Sequence, residues 1–229
     1  MSGATNGPGA DTTVHRILIV EDHPIVRDGI NELACRESDL SVCAQTADPQ
    51  EALQLIEDLR PDMAIVDISL GNTSGLELTK RIRARGHMLP ILILSMHDEA
   101  IYAERALRAG ASGYIMKKEA SELLRAAIRQ VLSGGIYLSQ AMTARLVRSL
   151  VRGQKGPPAY PIDGLTDREL EIFCLIGKGL GTRQIAEALH VSIKTVESHR
   201  AHIKDKLMLQ DANELLLSAI RWAQEQSIG

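Results

Sequence analysis

The chain has 229 residues, a hydrophobic content of 45% and an aromatic content of 3%, so it is long enough for two small domains with aliphatic cores. Its formal net charge of −3 excludes an overall basic, nucleic-acid-binding composition, and any such surface has to be local. No apolar run reaches the roughly 18 residues of a membrane span, and three scattered cysteines without metal-site spacing predict reduced thiols in a cytoplasmic protein.

The first residues predict a disordered tail. Residues 1–14 are polar and Gly-rich and contain neither the basic nor the apolar segment of a signal peptide. Such a segment cannot bury enough apolar surface to order itself. We therefore expect the first domain to begin at residue 15.

Five apolar strand-like segments then alternate with amphipathic helical segments. The predicted strands are 16–22, 40–47, 63–67, 90–95 and 112–116. The predicted helices are 24–36, 49–60, 75–86, 99–110 and 121–134, the last with Ser121 as its N-cap. Strands that are apolar throughout are typical of sheets covered on both faces. The series predicts an α/β fold with a doubly wound five-stranded parallel sheet.

Polar residues follow the predicted strands at the edge where such sheets bind ligands. They are Glu21, Asp22, Asp67, Ser95 and Lys117. Taken alone, an aspartate at a strand end is also compatible with a helix cap or a turn. The whole set, however, places three mutually repelling carboxylates beside an ammonium and a hydroxyl, and Mg²⁺ favours such carboxylates.

This set suits a phosphoryl group. Asp67 is the candidate nucleophile that forms an aspartyl phosphate. Mg²⁺ and Lys117 are expected to hold the equatorial oxygens, and Ser95 to donate a hydrogen bond to one of them. We interpret His23, beside the acidic pair, as a loop residue rather than a metal ligand.

The C-terminal third predicts a separate helical unit. Residues 139–152 form a predicted helix, 153–164 a Gly- and Pro-rich linker, and 166–177, 182–189, 192–207 and 211–225 four further helices. Thr166 and Glu169 predict a capping box, and Ser192 predicts an N-cap. Gly181 precedes the second of the four helices, where either the glycine itself or Thr182 has to act as the N-cap.

Residues 16–137 resemble the receiver domain of two-component response regulators. The matching motifs are "ILIVEDHP", "AIVDISL", "ILILSMH" and "AGASGYIMK". The resemblance implies a CheY-like fold in which Asp67 is the phosphoacceptor and Ser95 and Tyr114 form the switch pair. It implies Lys117, rather than the adjacent Lys118, as the phosphate-contacting lysine. It also implies a Mg²⁺ site made by Asp22, Asp67, the backbone carbonyl of Ser69 and, through water, Glu21.

Residues 165–207 resemble the LuxR-type helix-turn-helix over their whole length, and "GGIYLS" at 134–139 resembles the stretch that follows the receiver in regulators of this subgroup. The second helix of such a motif enters the major groove of DNA. On 192–207 the face with Val196, His199, Ile203 and Leu207 is predicted core. The predicted DNA-contacting residues are Thr182, Lys194, Thr195, Glu197, Ser198, Ala201, His202 and Lys206. Glu197 is equally compatible with base reading at a cytosine and with pairing to Lys194 or Arg200 on its own helix.

Two further features of this unit allow alternatives. The helix 211–225 carries a predicted dimer contact made of Leu215, Leu216, Ala219 and Trp222, but packing inside the four-helix unit accounts for part of that apolar surface. His199 and His202 suggest a metal pair. We disfavoured it because His199 belongs to the predicted core and no acidic or cysteine partner is near in sequence.

The predicted protein has a receiver domain at 15–137, a connecting helix and linker at 138–162 and a LuxR-type DNA-binding domain at 163–229. We expect a cytoplasmic, non-enzymatic regulator that is phosphorylated by a histidine kinase and binds two-fold sites on double-stranded DNA as a homodimer, without a membrane partner. One alternative is a DNA-binding regulator whose receiver docks independently of phosphate. The other is a Mg²⁺-dependent phosphohydrolase of the haloacid dehalogenase type, which places a second aspartate where this chain has Ser69.

Overall fold

The computed structural model describes residues 13–71, 73–151 and 161–227. Most of the predicted tail, 1–12, and most of the predicted linker, 152–160, lie outside the described residues. Among the described residues, no helix is both long and apolar enough to cross a membrane.

The predicted parallel sheet is confirmed. Its strands are His15–Val20 (β1), Leu40–Thr46 (β2), Met63–Asp67 (β3), Ile91–Ser95 (β6) and Gly113–Met116 (β7), in the order β2-β1-β3-β6-β7. The order reverses direction between β1 and β3, which places a ligand crevice at the carboxyl edge of these strands. Two short strands, Ser69–Leu70 (β4) and Thr73–Ser74 (β5), form an antiparallel hairpin just beyond β3 that the sequence pattern did not predict.

Helices cover both faces of the sheet. They are Pro24–Cys35 (α1), Pro49–Leu59 (α2), Gly75–Ala84 (α3), Glu99–Ala109 (α4) and Ala120–Leu132 (α5). Side chains alternate along each strand, so Ile17 and Ile19 pack with α1 and α5, whereas Leu18 and Val20 pack with α2, α3 and α4. The sheet is therefore buried on both sides, as its continuous apolar strands predicted.

One predicted cap is wrong. The helix α5 begins at Ala120 with Glu119 at its N-cap position, and no side chain caps it. Residues Lys117–Glu119 form a 3₁₀ turn that runs directly into the helix, so Ser121 already lies inside the first turn. Because the backbone enters α5 through this turn, Ser121 cannot take the extended conformation of an N-cap residue.

The C-terminal unit consists of helices. After Gln140–Val151 (α6) and a 3₁₀ turn at Pro161–Gly164, the helices are Asp167–Gly177 (α7), Thr182–Ala188 (α8), Ile193–Leu207 (α9) and Ala212–Ser227 (α10). The Thr166–Glu169 capping box and the Ser192 cap are confirmed. At α8 the N-cap is Gly181 itself, whose N–H donates to Gln184 Oε1 at 2.9 Å.

The two units share one hydrophobic cluster. The core on the α2–α4 side of the sheet continues into buried residues of the helical unit, among them Phe173, Ile176 and Val196. The contact is made chiefly by α7, whose first turns meet the hairpin β4–β5 and the loop after β6. The start of α7 therefore lies next to the carboxyl edge of the sheet.

Candidate functional site

The structure gathers the predicted acidic residues at one place. Glu21 and Asp22 follow β1, and Asp67 ends β3. Oxygen atoms of these three carboxylates and one ring nitrogen of His23 all lie within 4.8 Å of one another. His23 is a half-exposed loop residue, as predicted, but its Nδ1 also lies 2.7 Å from Asp22 Oδ1 and 3.1 Å from Glu21 Oε1. The imidazole therefore forms the rim of the pocket.

Lys117 bridges two buried carboxylates. Its Nζ lies 2.8 Å from Asp67 Oδ2 and 2.8 Å from Glu21 Oε2. Burial raises the pKa of Asp67 to about 6; the Glu21 charge adds to the rise and Lys117 opposes it. Burial by itself would lower the pKa of Lys117, but the charges of Asp67 and Glu21 raise it, so Lys117 stays an ammonium.

The pocket fits a hard divalent cation. Three carboxylates, Glu21, Asp22 and Asp67, face a single ammonium, Lys117, so two negative charges remain unbalanced when all three are ionised. The raised pKa of Asp67 reports this uncompensated, desolvated charge. Oxygen donors from a few carboxylates, completed by water, are what Mg²⁺ prefers.

The backbone approaches Asp67 closely at the start of α3. A Cβ atom at Gly75 would lie only 1.9 Å from the carbonyl oxygen of Asp67. The N–H of Gly75 donates to the Ile68 carbonyl at 2.7 Å, and the N–H of Gly71 donates to Asp22 Oδ2 at 3.1 Å. Glycine at 75 therefore lets the hairpin loop close on itself behind Asp67, and the Gly71 N–H ties that loop to Asp22 of the acidic pocket.

The two predicted switch residues converge on a third residue, His97. Ser95 is fully buried, and its Oγ accepts from the His97 backbone N–H at 3.0 Å. Tyr114 is also buried, and its hydroxyl donates to the His97 carbonyl at 2.9 Å. The side chains of Ser95 and Tyr114 therefore both bind the backbone of His97, in the loop after β6.

His97 in turn contacts the helical unit. Its Nε2 lies 3.0 Å from Oε1 of Glu171 on α7 and 3.1 Å from Ser69 Oγ, which itself donates to Glu171 at 3.0 Å. Burial by itself would raise the pKa of Glu171, but His97 and Arg168 hold it below its ordinary value, so Glu171 is a buried carboxylate ion. Arg168 contacts the other Glu171 oxygen at 2.5 Å and also donates to the Gly71 carbonyl at 3.3 Å.

A second buried acid, Asp167, adds to this contact. Ser74 Oγ donates to its Oδ2 at 3.4 Å, and the side chains of Lys80 and Arg105 approach its carboxylate to 3.8 Å and 3.6 Å. Arg105 also donates to the Leu165 carbonyl at 2.6 Å. The acidic first turn of α7 is therefore docked on the hairpin β4–β5 and on the helices α3 and α4.

The outward face of α9 is accessible in this arrangement. Its predicted DNA-contacting residues are exposed or half-buried: Lys194, Thr195, Glu197, Ser198, Ala201, His202 and Lys206. Thr182, at the start of α8, is half-buried. On the opposite face Val196 and Ile203 are fully buried, as predicted, whereas His199 and Leu207 are only partly buried. The receiver contacts α7 and leaves the outward side of α9 open.

The predicted dimer contact on α10 needs correction. Leu215, Ala219 and Trp222 are at most 7% exposed, because α10 packs its apolar face against α7. Trp222 lies beside Phe173, with ring centroids 5.8 Å apart. These three side chains are core residues of the unit and are not available to a second chain in this structure. Only Leu216 of the predicted set, 37% exposed, remains on the surface.

Sequence reasoning missed the residues that join the two units. Among them are His97, Asp167, Arg168 and Glu171. One signal was present in the sequence: Glu171 lies directly between two apolar residues, Leu170 and Ile172, that are buried on the same helix. A carboxylate at such a position needs a partner from elsewhere in the fold. That partner comes from a loop that precedes it by more than 70 positions, which no local pattern indicates.

Comparison with known proteins identifies both units. Residues 17–129 match the model of the response regulator receiver domain, and residues 163–219 match that of bacterial regulatory proteins of the luxR family. The oxygen regulatory protein NreC of Staphylococcus aureus strain JH9 is 40% identical over 210 residues, which span 90% of this chain and 97% of NreC.

Two solved structures resemble this chain, one over 61% of it and the other over 90%. A two-component response regulator of the LuxR family from Aurantimonas sp. SI85-9A1 is 36% identical, with a TM-score of 0.55 over 61% of this chain and 99% of that one. Salmonella enterica serovar Typhimurium RcsB, bound to promoter P1flhDC with the phosphomimetic BeF₃⁻, is 25% identical, with a TM-score of 0.54 over 90% of this chain and 98% of that one. An acidic pocket at the edge of a parallel sheet, an attached helix-turn-helix unit and these relatives lead to one conclusion: the chain belongs to the LuxR family of two-component response regulators, with a receiver domain and a DNA-binding domain.

Proposed function

We propose that Asp67 accepts a phosphoryl group from a partner histidine kinase and that this modification controls DNA binding by α9. The observation that carries the proposal is the buried Asp67 carboxylate, bridged by Lys117 to Glu21 at the carboxyl edge of the sheet. An oxygen of Asp67 bonds to phosphorus as the P–N bond of the donor phosphohistidine breaks. Lys117, already 2.8 Å from Asp67, is placed to contact the transferred group.

The metal site proposed for this reaction uses Asp22, Asp67 and the backbone carbonyl of Ser69, with Glu21 acting through water. A bound Mg²⁺ neutralises the charge of the phosphoryl oxygens. This chain's own residues position the acceptor: Gly75 allows the close turn behind Asp67, and the Gly71 N–H orients Asp22. The excess of negative charge in the pocket favours the cation.

The coupling to DNA binding runs through His97. Ser95 now accepts from the His97 N–H, and Tyr114 donates to the His97 carbonyl. When the Ser95 hydroxyl turns toward a phosphoryl group on Asp67, it gives up this bond, and the loop that carries His97 is free to shift. The His97–Glu171 contact then weakens, and α7 loses part of its hold on the receiver.

The outward face of α9 is exposed in the unphosphorylated protein, and this bears on the mechanism. Because the predicted DNA-contacting side chains are already accessible, phosphorylation has no need to uncover them. We propose that it frees the DNA-binding domain to pair with that of a second copy, so that two α9 helices meet adjacent major grooves of a two-fold site. The domains assigned to these roles are 15–137 and 163–229, joined by 138–162.

A regulatory role fits the acidic pocket better than catalytic hydrolysis of a phosphate ester does. The position two residues after Asp67, where a haloacid dehalogenase carries its general acid, is Ser69, and its hydroxyl donates to Glu171 of the other domain. The relatives reported above are regulators, and the phosphate-independent docking module has no observation in its favour. We propose a non-enzymatic regulator that acts on DNA in the cytoplasm.

Phosphorylation is tested on the full chain by intact mass. Incubation with acetyl phosphate or phosphoramidate and Mg²⁺ should add one phosphoryl group that hydroxylamine removes, and chelation of Mg²⁺ should prevent the addition. Asp67→Asn should not be labelled, because an amide is a poor nucleophile. Asp58→Asn, the same change at an exposed position on α2, is the matched control and should be labelled normally. Equal labelling of Asp67→Asn would place the phosphoacceptor elsewhere.

A further inference from the structure

The DNA-binding domain contains a second group of metal-ligating side chains, which shares no residue with the acidic pocket. Glu169 of α7 and His199 and His202 of α9 each offer one ligand atom, and these atoms all lie within 4.8 Å of one another. The sequence disfavoured a histidine metal pair because no acidic partner is near it along the chain. The packing of α7 against α9 supplies that partner.

The geometry suits one small cation. His199 and His202 lie three residues apart on one face of a helix, with ring centroids 6.4 Å apart. His202 Nδ1 is 3.9 Å from Glu169 Oε1. Tetrahedral zinc with bonds of about 2.0–2.1 Å separates its ligand atoms by about 3.4 Å. Side-chain rotations that move the ligand atoms by about an ångström therefore close the site around an ion.

The carboxylate is already oriented for this role. Glu169 Oε2 accepts from the Thr166 N–H at 2.7 Å and from Lys206 Nζ at 2.7 Å, whereas Oε1 is the oxygen nearer to His202. Carboxylates that bind metals are commonly fixed by such hydrogen bonds. The Lys206 ammonium repels a cation, so it lowers the affinity of the site without occupying the free oxygen.

His199 is free to serve as a ligand. Its Nδ1 is buried and, among the described residues, has no hydrogen-bond partner. A ring nitrogen that no protein group occupies is available to a metal ion.

We propose that Glu169, His199 and His202 form a binding site for a divalent transition-metal ion of the zinc class. Mixed imidazole and carboxylate ligands suit Zn²⁺, Ni²⁺ and Cu²⁺ better than Mg²⁺. The three protein ligands leave one position for water. His202 and Lys206 also belong to the proposed DNA-contacting face. An ion that draws His202 toward α7 therefore removes one contact between that face and DNA. This effect on DNA contacts rests on the proposed function, whereas the proposed metal binding does not.

The binding test uses the full chain without affinity-tag histidines, stripped with a chelator and kept in millimolar Mg²⁺ so that the acidic pocket is occupied. Zn²⁺ is titrated in competition with a chromogenic chelator, and Co²⁺ binding is followed by its visible absorption. We expect one equivalent to bind wild-type protein and His202→Gln to bind at least about tenfold more weakly. His87→Gln, which removes a partly exposed receiver histidine, should bind like wild type.

His202 is the better test position because its side chain is 59% exposed, so its replacement should leave the fold intact, as circular dichroism will verify. His199→Gln is the second variant, with Co²⁺ absorption read only on folded protein. The proposed site would be contradicted if wild type and folded His202→Gln bound Zn²⁺ with equal affinity. It would also be contradicted if wild type showed no saturable Zn²⁺ binding. In a separate arm, Zn²⁺ should weaken DNA binding by wild type at least about threefold and leave His202→Gln unchanged. If Zn²⁺ does not change the DNA affinity of wild type, only the proposed effect of the metal ion on DNA binding is overturned.

Discussion

His97 and Glu171 meet across the boundary between the two domains: Nε2 of the histidine lies 3.0 Å from Oε1 of a carboxylate that is 5% exposed. The same His97 is held at its backbone by Ser95 and Tyr114. A residue positioned by both proposed switch side chains therefore also holds the first turns of α7. This contact provides a direct physical connection between the acidic pocket and the DNA-binding domain.

Glu171→Gln should loosen the docking of the two domains. The amide keeps the shape but removes the charge that Arg168 and His97 contact, and losing one buried charge-assisted hydrogen bond costs about 1–3 kcal/mol. We expect a protease to cleave unphosphorylated Glu171→Gln faster than wild type, and the DNA affinity of the variant to approach that of phosphorylated wild type. Glu187→Gln, at an exposed acid of α8 paired with Arg183, is the matched control.

A double-mutant cycle assigns this effect to the pair. His97→Asn and Glu171→Gln should each increase proteolysis, and the double variant should add little to either. We expect a coupling free energy of about 0.5–3 kcal/mol, the range for residues in direct contact. Fully additive effects would show that the two side chains act independently and would remove the proposed connection.

Asp67→Asn should stabilise the protein in the absence of Mg²⁺. The folded-state pKa of about 6 lies above the ordinary value of 3.8, so ionised Asp67 costs folding free energy at every pH above 6. At about 1.36 kcal/mol per pKa unit, we expect a gain of about 3 kcal/mol in the free energy of unfolding at pH 8. As the pH falls through 6 toward 3.8, wild-type Asp67 becomes protonated and the gain should shrink. Urea denaturation at pH 8 and pH 5 measures the difference, and an equal gain at both would contradict the assigned cause.

Lys117→Met should have the opposite effect. It leaves the buried carboxylates of Glu21 and Asp67 without their shared ammonium, and breaking such a buried pair costs about 3 kcal/mol. The loss should be largest at pH 8 without Mg²⁺ and smaller when Mg²⁺ is added or Asp67 is protonated. Lys118→Met, at the adjacent exposed lysine, should change stability little. Equal losses for the two variants would argue against the bridge.

Gly75→Ala should disrupt the acidic pocket. Its Cβ would lie 1.9 Å from the Asp67 carbonyl oxygen, so the hairpin loop or β3 has to move. Overpacking of this kind costs about 1–3 kcal/mol, and phosphorylation of Asp67 should slow as the acceptor shifts. The comparison variant is Gly29→Ala in α1, where nothing lies within 4 Å of the added Cβ. That change should stabilise the helix by about 0.5–1 kcal/mol.

DNA binding should depend strongly on pairing of two copies. The positive charges of α9 at Lys194, Arg200 and Lys204 are partly offset by Glu197 and Asp205, and Lys206 is already paired with Glu169. One α9 helix therefore neutralises few phosphates. With a slope of about −0.9 per phosphate contact, the salt dependence of phosphorylated protein on a two-fold site should be about twice that on a half-site. Equal affinities and slopes on the two DNAs would refute this requirement.

Leu216 is the remaining candidate anchor on α10. Leu216→Glu should weaken binding to the two-fold site and leave half-site binding unchanged, because a charge in an apolar contact is costly. Gln224→Glu adds the same charge at another exposed position of α10 and should affect both DNAs equally. If Leu216→Glu binds the two-fold site like wild type, the dimer contact lies elsewhere.

The sheet and the acidic pocket could be predicted from the amino-acid sequence alone. Continuous apolar strands and alternating helices require a parallel sheet covered on both faces, and parallel strands bring their carboxyl ends to one edge. Glu21, Asp22, Asp67, Ser95 and Lys117 follow those strands directly, so their proximity is a consequence of topology. The local caps at Thr166 and Ser192 were predictable for a related reason, since each bond spans only three residues.

The surfaces that the helices contact could not be predicted from the sequence and depend on the folded arrangement. Trp222 could face a second chain or its own core, and the packing of α10 against α7 placed it inside. Glu171 meets His97 and Glu169 meets His202 because helices and loops far apart in sequence pack side by side. Periodicity indicates which face of a helix is apolar, but the surface that covers that face is set by long-range packing. The link between the two domains and the histidine–glutamate cluster on α9 therefore depend on the folded arrangement.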